Sequence, residues 1–120
     1  MEMLTLEEVL SDAASSPGFG HLKHVDINSR GESGQSALHW MAVLGDTKGI
    51  KLLIDAGIDV DIADNEGNTP LHEAVIWYHT SAVYELIKMG ANQNLKNNNG
   101  LTPLDIAKAD NFESIINALN

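Results

Sequence analysis

Cysteine is absent from the 120 residues. That absence excludes a disulfide framework, a thiol nucleophile and a cysteine zinc site together, and it fits a reducing compartment. Basic residues are scarce too: seven Lys and Arg stand against 17 Asp and Glu, a formal net charge of −10. A polyphosphate partner needs a basic face, so the balance argues against nucleic acid, and equally against an anionic membrane surface. A large partner is expected to be basic. Long apolar runs are missing as well. None exceeds five residues, as in Ala74 to Tyr78, against the roughly 20 that a membrane span needs. The first residues carry Glu2, Glu7 and Glu8 without a basic n-region, so no signal peptide is expected. The cytoplasm is the expected place, with export by a specialised system left open. What remains suffices for a fold. Hydrophobic residues make up 43%, too many for a disordered acidic tail, and a chain of this length buries about two thirds of its unfolded surface.

Self-similarity organises the chain. Gly34, Gly67 and Gly100 recur at a spacing of 33, as do Leu38, Leu71 and Leu104, and Leu53, Leu86 and Leu119. His39 and His72 keep the same register, as do Gly57 and Gly90. Local signals agree inside each unit. Thr69-Pro70-Leu71-His72 places an N-cap at Thr69 and proline at the first helical position. Thr102-Pro103-Leu104-Asp105 repeats it with a near capping box, and Ser36-Ala37-Leu38-His39 is the weaker copy. A short helix over about 37–44 is predicted, broken at Gly45-Asp46. A second follows over about 47–56, with Ile50, Leu53 and Ile54 on one face and Gly57 as a left-handed cap. Asp59-Val60-Asp61-Ile62 reads as a short extended segment, and Asn65-Glu66-Gly67 as a turn.

Helix, turn, helix and turn-rich finger at this period resemble the ankyrin repeat. The resemblance rests on Thr69-Pro70-Leu71-His72-Glu73-Ala74, on Ser36-Ala37-Leu38-His39-Trp40-Met41-Ala42, and on the second-helix runs Leu52 to Asp61 and Glu85 to Ala91. It covers about 24–120 and implies an all-α solenoid of stacked helix pairs with projecting finger loops. Four repeats are expected within one domain: a degenerate N-terminal capping repeat over 1–30, repeats over 31–63 and 64–96, and a C-terminal capping repeat over 97–120. In the last unit Lys108 stands where Ala42 and Val75 do, and Asn117 where Lys51 and Tyr84 do. A terminal repeat needs such a polar outer face, so a whole capped domain is expected rather than a fragment.

Catalytic and metal readings find little support in the residues. The family resemblance gives His39 and His72 a structural role within the motif turn. His21 and His24 lie three apart with Asp26 nearby, but metal ligation needs a third ligand of fixed geometry, and His79 reads as loop surface, with partner contact second. There is no Gly-x-Ser-x-Gly elbow and no glycine-rich phosphate loop carrying Lys and Ser/Thr. No enzyme, cofactor or metal is therefore expected. The acids are more telling. From Asp55 to Glu85 there are seven and no Lys or Arg: Asp55, Asp59, Asp61, Asp64, Glu66, Glu73 and Glu85. The family pattern itself favours Asp at Asp59 and Asp64, but not the acids at Glu66 and Glu73. Six aromatics occur in all. Trp40 shares its register with Glu73 and Ile106, and Trp77 with Leu44 and Asp110, which allows solvent-facing slots or, equally, packing over a neighbouring repeat. Tyr84 and Phe112 are expected to pack.

In proteins that this chain resembles, finger tips and the concave face of the first helices bind other proteins. Carried over, the finger positions are Glu32, Ser33, Gln35, Asn65, Glu66, Asn68, Asn98, Asn99 and Leu101, and the inner-helix positions are Trp40, Leu44, Glu73, Ile76, Trp77 and Asp110. The expected function is a non-enzymatic protein-interaction module, monomeric when unbound, that docks a basic partner. Two alternatives use the same surface. One is an immunity or inhibitor protein that neutralises a basic toxin or nuclease; the other is a secreted effector or adaptor.

Overall fold

The structure, a computed structural model, describes residues 29–119. Most of the unit expected over 1–30 lies outside the described residues, as do His21, His24 and Asn120. Six helices follow one another: α1 Ala37–Leu44, α2 Thr47–Asp55, α3 Pro70–Ile76, α4 Thr80–Lys88, α5 Pro103–Ala109 and α6 Glu113–Leu119. Among the described residues there is no strand, and the fold is all-α. Each odd-numbered helix pairs with the helix after it. The inner helices α1, α3 and α5 form one row and the outer helices α2, α4 and α6 a second, packed row on row.

The caps explain why the inner helices start in the same register. Ser36, Thr69 and Thr102 are each extended, and each side-chain oxygen accepts the backbone N–H three residues on. The residue at that third position, His39, His72 or Asp105, accepts the cap's own N–H in return. Two donors that a helix start leaves bare are thereby satisfied in every unit.

The ends are equally regular. Asp46, His79 and Phe112 donate their N–H groups five residues back, to the carbonyls of Met41, Ala74 and Ala107, at 2.9, 2.8 and 2.9 Å. The residue before each is left-handed: Gly45, Tyr78 and Asn111, with φ of 71°, 60° and 56°. This is a Schellman-type stop, kept even where the glycine is replaced. After α2 and α4 the same bond recurs, from Ile58 to Leu53 and from Ala91 to Leu86, beside Gly57 and Gly90. The segment at Asp59–Ile62 departs from the expected extended form. It is a turn, because the Asp59 carboxylate takes the Asp61 N–H at 2.9 Å and the Asp59 carbonyl takes that of Ile62 at 3.2 Å.

One continuous core runs through the pairs. Leu38, Met41, Ile50, Leu53, Leu71, Leu86 and Ile115 are fully buried in it. Ala42 and Val75 are fully buried, whereas Lys108, in their register, is exposed.

Candidate functional site

Three finger loops, 31–35, 64–68 and 97–101, lie side by side along one edge. The Asn65 N–H donates to the Ser33 carbonyl and the Asn98 N–H to that of Glu66, both at 2.9 Å. Each finger is closed at its base. Asp64 Oδ1 accepts the N–H groups of Glu66 and Asn68 at 2.9 and 3.0 Å, and Asn97 Oδ1 does the same for Asn99 and Leu101. Such carboxylate and amide turns hold the loops without regular structure. The finger glycines permit the close stacking. A Cβ on Gly34 would fall 2.4 Å from Asn65 Oδ1, and one on Gly67 2.7 Å from Asn98 Oδ1.

Histidines fasten the fingers to the inner helices. The Ser36 N–H donates to His39 Nδ1 at 3.0 Å, so that nitrogen is unprotonated; Nε2 then carries the proton and donates to the Asn68 carbonyl at 2.7 Å. Thr69, His72 and the Leu101 carbonyl repeat the arrangement at 3.1 and 2.9 Å. Burial holds both imidazoles below the ordinary value of 6.5, against the opposing pull of those carbonyls. His79, expected on loop surface, is half-buried. Its Nε2 lies 2.8 Å from the Val43 carbonyl of the preceding unit, and its ring packs over Gly45.

Between the first two fingers and the first two inner helices lies an open groove of about 250 Å³, lined by Ser33, Gln35, His39, Trp40, Val43, Asp64, Glu66, Glu73 and Trp77. Trp77 is 57% exposed, while Trp40 is half-buried and packs partly on the core. The Trp77 indole donates to Glu73 Oε2 at 3.2 Å, one turn back along α3. Glu73 is itself half-buried. Burial pushes its carboxyl above the ordinary 4.5, and the Asp64 and Glu66 carboxylates push the same way against the indole bond. No Lys or Arg lines the groove.

Six of the expected contact residues therefore meet in one place: Ser33, Gln35, Trp40, Glu66, Glu73 and Trp77. Asn98 and Asn99 line a second opening of about 260 Å³ between the next fingers, with Glu66, Asn68 and Asn97. Glu32, Asn65, Leu44, Ile76, Leu101 and Asp110 are exposed but line neither. Asn68 departs from the expectation. It is 6% exposed, and its side chain accepts from Asn97 Nδ2 at 2.9 Å and donates to Glu66 Oε2 at 3.4 Å. It braces the fingers, and little of it is exposed at the second opening. Tyr84 departs in the other direction, at 56% exposed rather than packed. Its register partners Lys51 and Asn117 are exposed as well, and their polarity was the available signal. Phe112 packs edge-on against Tyr78, ring centres 4.4 Å apart.

The seven acids do not form one surface. Asp55 lies on α2, 3.5 Å from Lys51. Asp61 takes the Asn92 N–H at 2.9 Å, and Glu85 belongs to the outer helix α4. Only Asp64, Glu66 and Glu73 reach the groove. Among the described residues no helix is long and apolar enough to cross a membrane.

Compared with protein families, the chain matches the one described as ankyrin repeats (3 copies), over residues 10–97 and 66–119. No curated protein matches it significantly.

Proposed function

The chain belongs to the ankyrin-repeat family, whose repeats are general protein-interaction modules, and from that premise we propose a non-enzymatic, cytoplasmic docking protein for a partner with a basic surface. Its four repeats would make one rigid domain that presents the fingers and the concave helix face. The observation that carries this reading is the groove in which two indoles meet three carboxylates and no cation. Tryptophan is among the residues that dominate interface energies, and a preorganised face avoids much of the ordering cost of binding. The acids supply steering and register. His39 and His72 are engaged in holding the fingers. The test is affinity for the native partner, measured by calorimetry on Trp40→Ala, Trp77→Ala and the pair. Each single change should weaken binding by about 2 kcal/mol or more, as hot-spot residues do. Unchanged affinity in the double variant removes the concave face from the interface.

The overall charge of −10 favours one second reading, a stoichiometric inhibitor of a basic enzyme such as a toxic nuclease. Its affinity should fall steeply with salt, and saturating protein should abolish the enzyme's activity. The same surface in a secreted effector or adaptor is distinguished by the identity of the captured partner.

A further inference from the structure

Glu66 and Glu73 face an open groove without a cationic partner among the described residues. Their engaged oxygens are Oε2 in both, held by the Asn68 amide and the Trp77 indole. Neither Oε1 is held by a hydrogen bond from the described residues. Glu73 is already partly withdrawn from water, and burial holds its carboxyl above the ordinary range. Covering this groove with an apolar side chain would bury the carboxylates further without compensation, a costly outcome. An anionic partner group would add repulsion. A cation relieves both.

The size and walls narrow the choice. At about 250 Å³ the groove falls below the roughly 300–1,000 Å³ usual for small-molecule sites, and suits one long side chain. Two of its walls are indoles, Trp40 and Trp77, whose faces attract cations. Arginine combines a flat, weakly hydrated cation that stacks on indole with a fork of donors matched to carboxylates; lysine offers a compact, strongly hydrated charge.

We propose that the groove between Trp40, Glu66, Glu73 and Trp77 is an arginine-binding pocket, which anchors one exposed arginine of the partner protein. The inference rests on the concave face being the docking face. The guanidinium lies against the indoles and donates to the Glu73 and Glu66 carboxylates, while the rest of the partner meets the fingers. Specificity then comes from a single side chain, and the remaining acids act at long range.

The experiment titrates the full chain, labelled with nitrogen-15, with acetyl-Gly-Arg-Gly-amide and reads the indole N–H signals of Trp40 and Trp77. The expected result is a saturable shift of both signals. The citrulline peptide, which keeps the shape and loses the charge, and the lysine peptide should each bind at least about tenfold more weakly. Glu73→Gln should cost about tenfold, while Asp55→Asn, an equal loss of charge on an outer helix, should leave the affinity within about twofold. Equal binding of arginine and citrulline, equal binding of lysine, an equal loss in Asp55→Asn, or no saturable shift overturns the proposal. Should the peptide fail while the double tryptophan variant still loses its native partner, the arginine assignment falls and the docking face stands. Should the peptide bind while that variant keeps its partner, the docking face falls.

Discussion

His39 and His72 each carry three jobs with one ring: they close a helix cap, fix a tautomer and tie the next finger to the stack. Protonating Nδ1 would set a donor against the donor it now accepts from, so the fold favours the neutral ring. Burial is the main cause of the lowered values; at His39 Asp64 raises and Arg30 and His72 lower. The unfolded chain therefore takes up protons first. The contribution is whole above 6.5 and is lost as pH falls through that value toward the lowered native one. Urea unfolding should show stability dropping from about pH 7.5 to about pH 5.5. His72→Gln should cost about 1–3 kcal/mol and flatten that drop. Glu73 opposes it. Its raised native value makes its contribution full below 4.5 and lost as pH rises, so Glu73→Gln should steepen the loss on acidification. The cap bond of these histidines was implied by the motif residues around them. The second bond, to a carbonyl 29 residues further on, was not, because it depends on how closely one unit stacks on the next. The same stacking accounts for His79, which reads as loop surface in sequence and touches Val43 in space.

At the scale of elements, the stops of the inner helices set a useful contrast. Gly45, Tyr78 and Asn111 share a left-handed backbone and the same five-back bond. A left-handed conformation costs a residue with a side chain about 1–2 kcal/mol. Tyr78 recovers part of that through its edge contact with Phe112, worth about 0.5–1.5 kcal/mol, and through its hydroxyl, 3.2 Å from Ser114 Oγ. Gly45 has no such recourse, since a Cβ there would lie 2.6 Å from His79 Nδ1. Gly45→Ala should thus destabilise by about 2 kcal/mol or more, while Tyr78→Gly should stay within about 1 kcal/mol of the parent. Chemical denaturation of the two variants checks the order, and a larger loss in Tyr78→Gly would contradict it. Helix starts and stops were legible in sequence because capping residues act locally: Thr69-Pro70 and Thr102-Pro103 open helices where expected. The turn at Asp59–Ile62 was not, because its alternating acid and apolar residues mimic a strand while the Asp59 side chain closes the chain on itself.

For the whole molecule, composition supplied the sign of the charge and the repeat register supplied its place. Neither showed that only three of the seven central acids converge. That division depends on which row each helix joins: α2 carries Asp55 away with Lys51, and α4 carries Glu85. Similarly, the register left each tryptophan open or packed; Trp77 is exposed, and Trp40 is partly covered because it leans on the core. The net charge of −10 gives the molecule two opposite responses to salt. Within the free protein, like charges repel and oppose the compact state, so added salt should raise the urea midpoint. Between this protein and a basic partner, the charges attract, and screening should lower affinity, chiefly through slower association. Raising sodium chloride from about 50 to about 500 mM shortens the Debye length from about 14 Å to about 4 Å, enough to separate the two effects. Stability measured on the free chain and association measured by stopped-flow should move in opposite directions over that range. A parallel fall in both would trace weakened binding to a weakened fold, and would remove electrostatic steering from the account of how this surface finds its partner.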